Sequence, residues 1–253
     1  MTAGDLWQDA PRLTPARVGL ERAGDAVSTE HLLEFNRARA AARDALHTPM
    51  DVEALSIDLA GLGLGRPIHV SSLAADRQEY LLRPDLGRVL RDPAALEPSE
   101  ARVGIVLADG LSPAAVNLHA PSLLRALVGR LLPSCSIAAP VLASQARVAL
   151  GDHVGSALGV GTVIVLIGER PGLSSADSLG VYLTHEPRPG RTDAERNCVS
   201  NIHPPHGLGY AEAADLVTAL HNSARRLGRS GVTLKAADSG QPGGGAALSP
   251  HSA

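Results

Sequence analysis

Two acidic residues directly follow apolar runs that have the composition of buried strands. Glu169 comes after the run 162–168 and Asp109 after the run 103–108. Short aliphatic runs of this kind are typical of strands buried on both faces, and ligands of open α/β sheets bind at the carboxyl ends of such strands. If the two strands are neighbours, both side chains lie at one edge of the sheet. Glu169 could accept hydrogen bonds from a ligand's amide or hydroxyl groups, or only form a solvated ion pair with Arg170.

A second polar stretch covers residues 193–203 and is too irregular for a simple amphipathic element. We expect it to form one functional rim with the first acidic loop. Cys198 with His203 or His206 has the composition of a thiol–imidazole pair, and the two histidines with His185 could be metal ligands. Spacing within a loop is no evidence of contact, however. A packed cysteine and exposed loop histidines are therefore the favoured interpretation.

The familiar catalytic and nucleotide-binding motifs are missing. The sequence contains no Gly-x-Ser-x-Gly, no His-Glu-x-x-His and no Cys-x-x-Cys. The glycine-rich segment 61–67 follows no apolar strand and ends in proline, so it is interpreted as a turn or linker and not as a dinucleotide fingerprint.

Helical and strand patterns alternate in the second half of the chain. Helices are predicted at 28–45, 51–61, 76–82, 85–90, 121–131, 152–158 and 210–227, with Ser112 and Pro113 suited to a helix start. Strands are predicted at 68–70, 103–108, 137–142, 162–167 and 181–183. Strands separated by helices imply right-handed crossovers and a parallel sheet.

These elements predict an α/β fold in which a Rossmann-like parallel-sheet domain follows a small, mainly helical N-terminal domain. The expected segments are a loose arm at 1–27, the helical domain at 28–98, the Rossmann-like domain at 99–229 and a disordered tail at 230–253.

Composition excludes several classes of partner. A net charge of −3 gives no basic footprint for nucleic acid, and 2% aromatic residues leave little for base stacking. No apolar run is long enough to span a membrane, and Met1–Asp5 lacks the pattern of a secretory signal. Two cysteines cannot form a disulfide framework. These features predict a soluble protein of a reducing, intracellular compartment.

Five stretches carry a resemblance to a known family. They are 80–88 (Tyr-Leu-Leu-Arg-Pro-Asp-Leu-Gly-Arg), 109–112 (Asp-Gly-Leu-Ser), 168–173 (Gly-Glu-Arg-Pro-Gly-Leu), 177–179 (Asp-Ser-Leu) and 196–203 (Arg-Asn-Cys-Val-Ser-Asn-Ile-His). In this order the sequence resembles the small (light) subunit of ethanolamine ammonia-lyase over about residues 22–228. The third stretch, followed at the right distance by the fifth, is the specific part of the match.

The resemblance implies a fold, a partner and a cofactor. It implies a small helical N-terminal domain, a Rossmann-like C-terminal domain and an obligatory large subunit, a TIM barrel, that binds ethanolamine and performs the radical chemistry. Adenosylcobalamin would lie between the subunits, and the products would be acetaldehyde and ammonia. The small subunit would contribute no catalytic residue of its own. It would form part of the wall of the cofactor site, orient the cofactor and shield it from water, while the cofactor performs the difficult chemical step.

By the family pattern, the cobalamin contacts fall on Val148, Glu169 and Cys198. Val148 would offer an apolar surface to the corrin, Glu169 would accept from peripheral amide N–H groups, and Cys198 would be a compact, polarizable contact. The structural alternatives are a core valine, a glutamate paired with an arginine and a packed cysteine. The sequence has no Asp-x-His-x-x-Gly element, the mark of proteins that ligate cobalt through histidine.

The short N-terminus favours a cytoplasmic complex over packaging in a bacterial microcompartment. Two rival functions remain. One is a stand-alone Rossmann-like nucleotide-binding or scaffold protein, and the other is a hydrolase that uses Cys198 and a loop histidine.

Overall fold

The fold is an α/β sandwich built on one six-stranded sheet. A computed structural model describes residues 22–23 and 25–234. The helices of four or more residues are α1 Thr29–His47, α2 Val52–Ala60, α3 Arg77–Leu82, α4 Pro113–Leu131, α5 Leu150–Leu158 and α6 Tyr210–Leu227. The strands are β1 Arg22–Ala23, β2 Ala26–Val27, β3 Ile68–Ser71, β4 Val103–Ala108, β5 Val141–Ser144, β6 Thr162–Gly168, β7 Leu179–His185 and β8 Asn197–Ile202.

The large sheet is mixed, with the order β3-β5-β4-β6-β7-β8. The first four strands are parallel, whereas β7 pairs antiparallel with β6 and with β8. The prediction of a parallel sheet is therefore right for four strands and wrong for the last two. A parallel return needs a crossover, usually helical, and no α-helix connects β6 to β7 or β7 to β8. Those two connections are loops that fold directly back.

Helices cover the sheet on both faces. On one face, α4 and α6 bury residues such as Leu123, Leu127 and Val217 against β4, β6 and β7. On the other face, Leu150 and Val154 of α5 pack against the same central strands. Because β4 and β6 are buried along their whole length, their continuous aliphatic runs are the expected sequence of central strands.

Side-chain caps fix several helix starts. Ser28, Asp51 and Ser112 each accept a hydrogen bond from a backbone N–H in the first turn, as the sequence predicts, and Asp76 does the same at the start of α3. For α6, both ends of the helix agree with the sequence prediction, 210–227. Helix α4 differs, because it starts at Pro113 and passes through Pro121 without interruption. Its buried apolar face continues on both sides of the proline, and that packing outweighs the lost hydrogen bond.

Three predicted elements have other bounds. Strand β5 begins at Val141 because Pro140 precedes it and cannot donate to a ladder, so Ile137 makes only an isolated bridge. The predicted helix 85–90 is a single 3-10 turn, Leu86–Arg88. Strand β8 lies in the stretch 193–203, which the sequence pattern marked only as irregular.

The ends of the described chain also depart from expectation. Most of the predicted arm at 1–27 lies outside the described residues, but β1 and β2 pair as a small antiparallel ladder. The predicted disordered tail starts at 230, whereas the segment 230–234 packs against β8. There the Asn197 amide donates to the carbonyls of Gly231 and Leu234, and Leu234 is buried. The rest of the tail lies outside the described residues.

The first part of the chain contributes to the main sheet. Strand β3 pairs in parallel with β5 along its length, so a segment placed by sequence in the helical N-terminal domain forms a sheet edge.

At the other end of the sheet, Arg196 before β8 forms a buried ion pair with Asp152 of α5. None of the helices in the described chain is long and apolar enough to cross a membrane.

Candidate functional site

Asp109 and Glu169 lie at the same edge of the sheet, as predicted. Strands β4 and β6 are parallel neighbours in register from Val103 to Ala108, so both side chains follow the carboxyl ends. The two loops touch closely. Leu111 N donates to Gly168 O at 2.9 Å, and a Cβ on Gly168 would lie 2.0 Å from Ser112 O. Only glycine permits this approach, which explains why both loops carry it.

Asp109 is a buried structural carboxylate. Its oxygens accept from Gln145 N at 2.7 Å and from Ala146 N at 2.8 Å, and Arg77 lies 3.7 Å away. Burial raises the pKa of Asp109, and the two N–H donors oppose that shift. The carboxylate therefore ties the loop after β5 to the end of β4.

Glu169 keeps one carboxylate oxygen free of protein donors. Ser178 Oγ donates to its Oε2 at 2.5 Å, and Asn201 N donates to the same oxygen at 3.3 Å. Within the described residues no hydrogen bond reaches Oε1, and the side chain is half-buried. The ion pair with Arg170 that sequence left open is not formed there. The protein thus orients Glu169 through Oε2 and leaves Oε1 available to accept a hydrogen bond from a ligand.

An irregularity in β8 brings Asn201 to Glu169. The register between β7 and β8 shifts after the Val181–Val199 pair, and Asn201 adopts a left-handed conformation with φ of 62°. Bulges of this kind re-aim backbone groups near functional sites. Across from it, a Cβ on Gly180 would lie 2.9 Å from Glu169 Oε1, so the glycine leaves room for the carboxylate.

A cleft of about 350 Å³ opens beside Glu169. Its wall includes two of the predicted contacts, Val148 and Glu169, together with the Tyr182 ring, Arg147 and Ile167. Val148 also packs partly against the core beneath α5. It therefore has both of the roles that the sequence left open, a core residue and a residue of the cleft wall. The cleft combines an apolar wall, one free carboxylate oxygen and a guanidinium group, which is the usual make-up of a ligand site.

Cys198, the third predicted contact, does not line this cleft but lies next to Tyr182, which does. The two residues are directly opposite on β8 and β7, so their side chains lie side by side on one face of the sheet. Burial raises the pKa of the Cys198 thiol, and burial first, then the neighbouring thiol, raises the pKa of Tyr182 to about 12. A thiol with a raised pKa is a poor nucleophile, which argues against a catalytic role for Cys198.

The histidines considered at the sequence level are not gathered in one place. His203 contacts Asn201 Oδ1 at 2.8 Å, whereas His185 lies at the far end of β7 beside Thr162. Over the described ranges, no group of three or more His, Cys, Asp or Glu side chains is arranged to hold a metal ion.

Sequence reasoning missed three residues of the site: Tyr182, Asn201 and Tyr80. Tyr80 is buried between Arg77 and Arg147, whose guanidinium carbons lie 4.8 and 4.5 Å from its ring centre. Tyr182 could have been suspected from strand alternation, because its neighbours Val181 and Leu183 face the opposite layer. The position of Asn201 depends on a register shift that no local pattern reveals.

Together the fold and the site define an α/β protein with a ligand-type cleft at the carboxyl edge of a mixed sheet. A family model, "Ethanolamine ammonia-lyase light chain (EutC)", matches residues 4–235. The chain belongs to this family, which confirms the resemblance, and it is accordingly a subunit of a lyase.

Several curated relatives carry the name "Ethanolamine ammonia-lyase small subunit". The protein from Rhodococcus erythropolis is 57% identical over 231 residues, which cover 91% of this chain and 90% of the relative. The one from Rhodopseudomonas palustris is 50% identical over 236 residues, covering 90% and 89%. The one from Ralstonia nicotianae is 48% identical over 240 residues, covering 91% and 88%.

Proposed function

We propose that this chain completes an adenosylcobalamin site at an interface with a larger catalytic subunit. The observation that carries the proposal is the placement of Val148, Glu169 and Cys198 at or beside the cleft next to β6. These three residues are distant in sequence; Val148 and Glu169 line one cleft, and Cys198 is paired with Tyr182, which lines the same cleft. The family to which the chain belongs supports the same assignment.

The residues present fit a corrinoid. Its periphery carries amide groups, and Glu169 Oε1 is an available acceptor for their N–H donors. Such a charge-assisted bond contributes about 1.5–3 kcal/mol when well made. Val148 and Ile167 supply the apolar surface that a corrin face needs, and the Cys198 thiol adds a soft contact. The chemistry that adenosylcobalamin supplies when bound is homolysis of the cobalt–carbon bond, which starts radical conversion of ethanolamine to acetaldehyde and ammonia.

The role of this chain is to bind, orient and exclude water. Ser178 and Asn201 hold Glu169 in place, and Cys198 lies beside Tyr182 as its cross-strand partner. Asp109 is occupied by structural hydrogen bonds and is unsuited to substrate chemistry. We therefore assign no catalytic residue to the small subunit, and we place ethanolamine on the large subunit, a TIM barrel. The complex is expected in the cytoplasm, with microcompartment packaging disfavoured.

Co-expression with a candidate large subunit tests the proposal. Ethanolamine deamination with added adenosylcobalamin is measured for the pair and for each chain alone. Activity is expected only in the pair. Corrinoid binding by the pair that is unchanged in a Glu169→Gln, Cys198→Ala double variant would contradict the site assignment.

The same assay separates the rival functions. Nucleotide binding by the isolated chain, without corrinoid binding by the pair, would support a stand-alone binding protein. Hydrolytic turnover by the isolated chain that is lost in Cys198→Ala would support a thiol hydrolase. Two observations argue against a thiol hydrolase. The pKa of the Cys198 thiol is raised, and His203 contacts Asn201 and not Cys198.

A further inference from the structure

A second pocket adjoins the proposed cofactor cleft and is lined by three arginines. It measures about 520 Å³. The arginines are Arg43, Arg147 and Arg170. Leu111, Arg147 and Arg170 also line the cleft that holds Val148 and Glu169, so the two spaces are adjacent. No aspartate or glutamate is among the described lining residues.

The three guanidinium groups lack a carboxylate partner. Among the described residues, neither Arg43 nor Arg147 nor Arg170 takes part in an ion pair, whereas Arg83 beside the pocket is paired with Asp85 at 2.7 Å. Arg43 and Arg170 are exposed. Three like charges converging on one space repel each other unless an anion compensates them.

Arg147 is held in place for such an anion. Its guanidinium stacks on the buried Tyr80 ring, and its Nη2 donates to Tyr80 O at 3.3 Å. Its Nε is buried and has no hydrogen-bond partner in the described chain. The unpaired Nε shows that the protein itself does not use all the donors of this guanidinium group. Planar guanidinium groups match the geometry of phosphate oxygens.

The remaining walls are apolar. Leu46 from α1, Leu81 from α3 and Pro171 after β6 form surfaces that suit the body of an organic molecule rather than a free inorganic ion. The pocket therefore combines a cationic group with hydrophobic walls, and it lies beside a space assigned to a corrin ring.

We propose that Arg43, Arg147 and Arg170 bind the phosphodiester of the cofactor's nucleotide loop. This inference rests on the proposed function, because it places a second part of the same corrinoid next to the first. Glu169 would contact the corrin periphery, and the arginines would neutralise the single negative charge of the tail. The chain would then recognise the cofactor at two chemically different points.

The test uses the assembled complex and equilibrium binding of two inactive probes. Cyanocobalamin contains the phosphodiester and its nucleotide, whereas dicyanocobinamide lacks both. Arg170→Met, at an exposed position without described partners, is expected to lower cyanocobalamin affinity about tenfold to hundredfold, the loss of one charge-assisted contact. Cobinamide affinity should change less than about twofold. Arg43→Met should behave in the same way, and the wild-type preference for cyanocobalamin should shrink at high salt.

A matched control is Arg225→Met on α6. Arg225 lies near His185, at the opposite edge of the sheet from Glu169, and affinity for both probes should be unchanged. Equal losses for both probes in Arg170→Met, or an unchanged cyanocobalamin affinity, would overturn the inference. Arg170-dependent binding of adenosine monophosphate with cyanocobalamin binding unaffected would assign the pocket to a free nucleotide and also overturn it.

Glu169→Gln separates the proposed cofactor site from the proposed phosphodiester subsite. It should weaken both probes, because both contain the corrin periphery. If it does so while the arginine variants leave both unchanged, the cofactor site stands and the phosphodiester subsite fails. If the complex binds neither probe, both proposals fail.

Discussion

Asn201 donates its backbone N–H to Glu169 Oε2 at 3.3 Å from a left-handed conformation. Gln145 stands in the same relation to Asp109, with φ of 54° and a donor distance of 2.7 Å. Both carboxylates at this edge of the sheet are thus oriented by a non-glycine residue in the left-handed region, which asparagine tolerates better than glutamine does. Strain of this kind persists where surrounding contacts enforce it, as at ligand sites.

Replacing Glu169 by glutamine should weaken corrinoid binding without preventing assembly. The amide keeps its size but loses the negative charge, so its contact with ligand N–H donors becomes a neutral one. A loss of about 1 kcal/mol or more in cobalamin binding is expected. Titration of the purified complex measures it, and size-exclusion chromatography checks assembly. Unchanged affinity would refute the assigned role.

Two substitutions at Asn201 isolate the backbone strain. Alanine and glycine both remove the side-chain contact with His203, but only glycine adopts the left-handed conformation without cost. Asn201→Ala should therefore be less stable than Asn201→Gly by about 1 kcal/mol. Denaturant unfolding of the two variants measures the difference. Equal stabilities would show that the conformation at this position carries no strain.

Asp109→Asn should destabilise the fold without any direct effect on a ligand. An asparagine offers one acceptor oxygen to two N–H donors and points its own N–H₂ group at one of them. A loss of about 2–4 kcal/mol is expected for a group this buried. Asp85→Asn, at an exposed ion pair, is the matched control and should change little. Similar unfolding midpoints for the two variants would contradict the assignment.

His221 should make the fold less stable in acid. It is fully buried on α6, neither ring nitrogen has a partner in the described chain, and burial lowers its pKa to about 4. The unfolded chain binds the proton near pH 6.5, so the contribution is complete above that pH and is lost as the pH falls towards 4. Burial also lowers the pKa of His119, His153 and His185, with the same sign.

The difference between wild type and His221→Met isolates this residue. Between pH 7 and pH 4.5 the wild type should lose on the order of 2 kcal/mol more unfolding free energy than the variant. His206→Met, at an exposed loop position, serves as control and should follow the wild type. A variant whose stability depends on pH as steeply as the wild type would contradict the prediction.

The central strands and the edge that carries Asp109 and Glu169 could be predicted because their signals are local. An aliphatic run that stops at a polar loop identifies both the strand and its functional end. The caps at Ser28, Asp51 and Ser112 were equally readable, since a helix start depends on a few adjacent residues.

Strand β8 could not be predicted in this way. Its polar residues Asn197, Ser200 and Asn201 give no regular alternation, and it becomes a strand only by pairing with β7. The antiparallel direction of β7 was missed because direction depends on how the connecting loop returns. For the site, residue type and family pattern suggested Glu169 and Cys198, but the link through Tyr182 exists only in the folded sheet.

The buried Asp152–Arg196 pair has a consequence for how β8 is aligned. Neighbouring side chains of a strand point to opposite faces, so a slip of one residue would turn Val199 towards the cleft and send the thiol inward. Edge strands are prone to such slips, and β8 has few apolar residues to resist one. The ion pair with α5 lies directly before the strand begins, so it fixes the position of β8 along β7 and keeps Cys198 beside Tyr182.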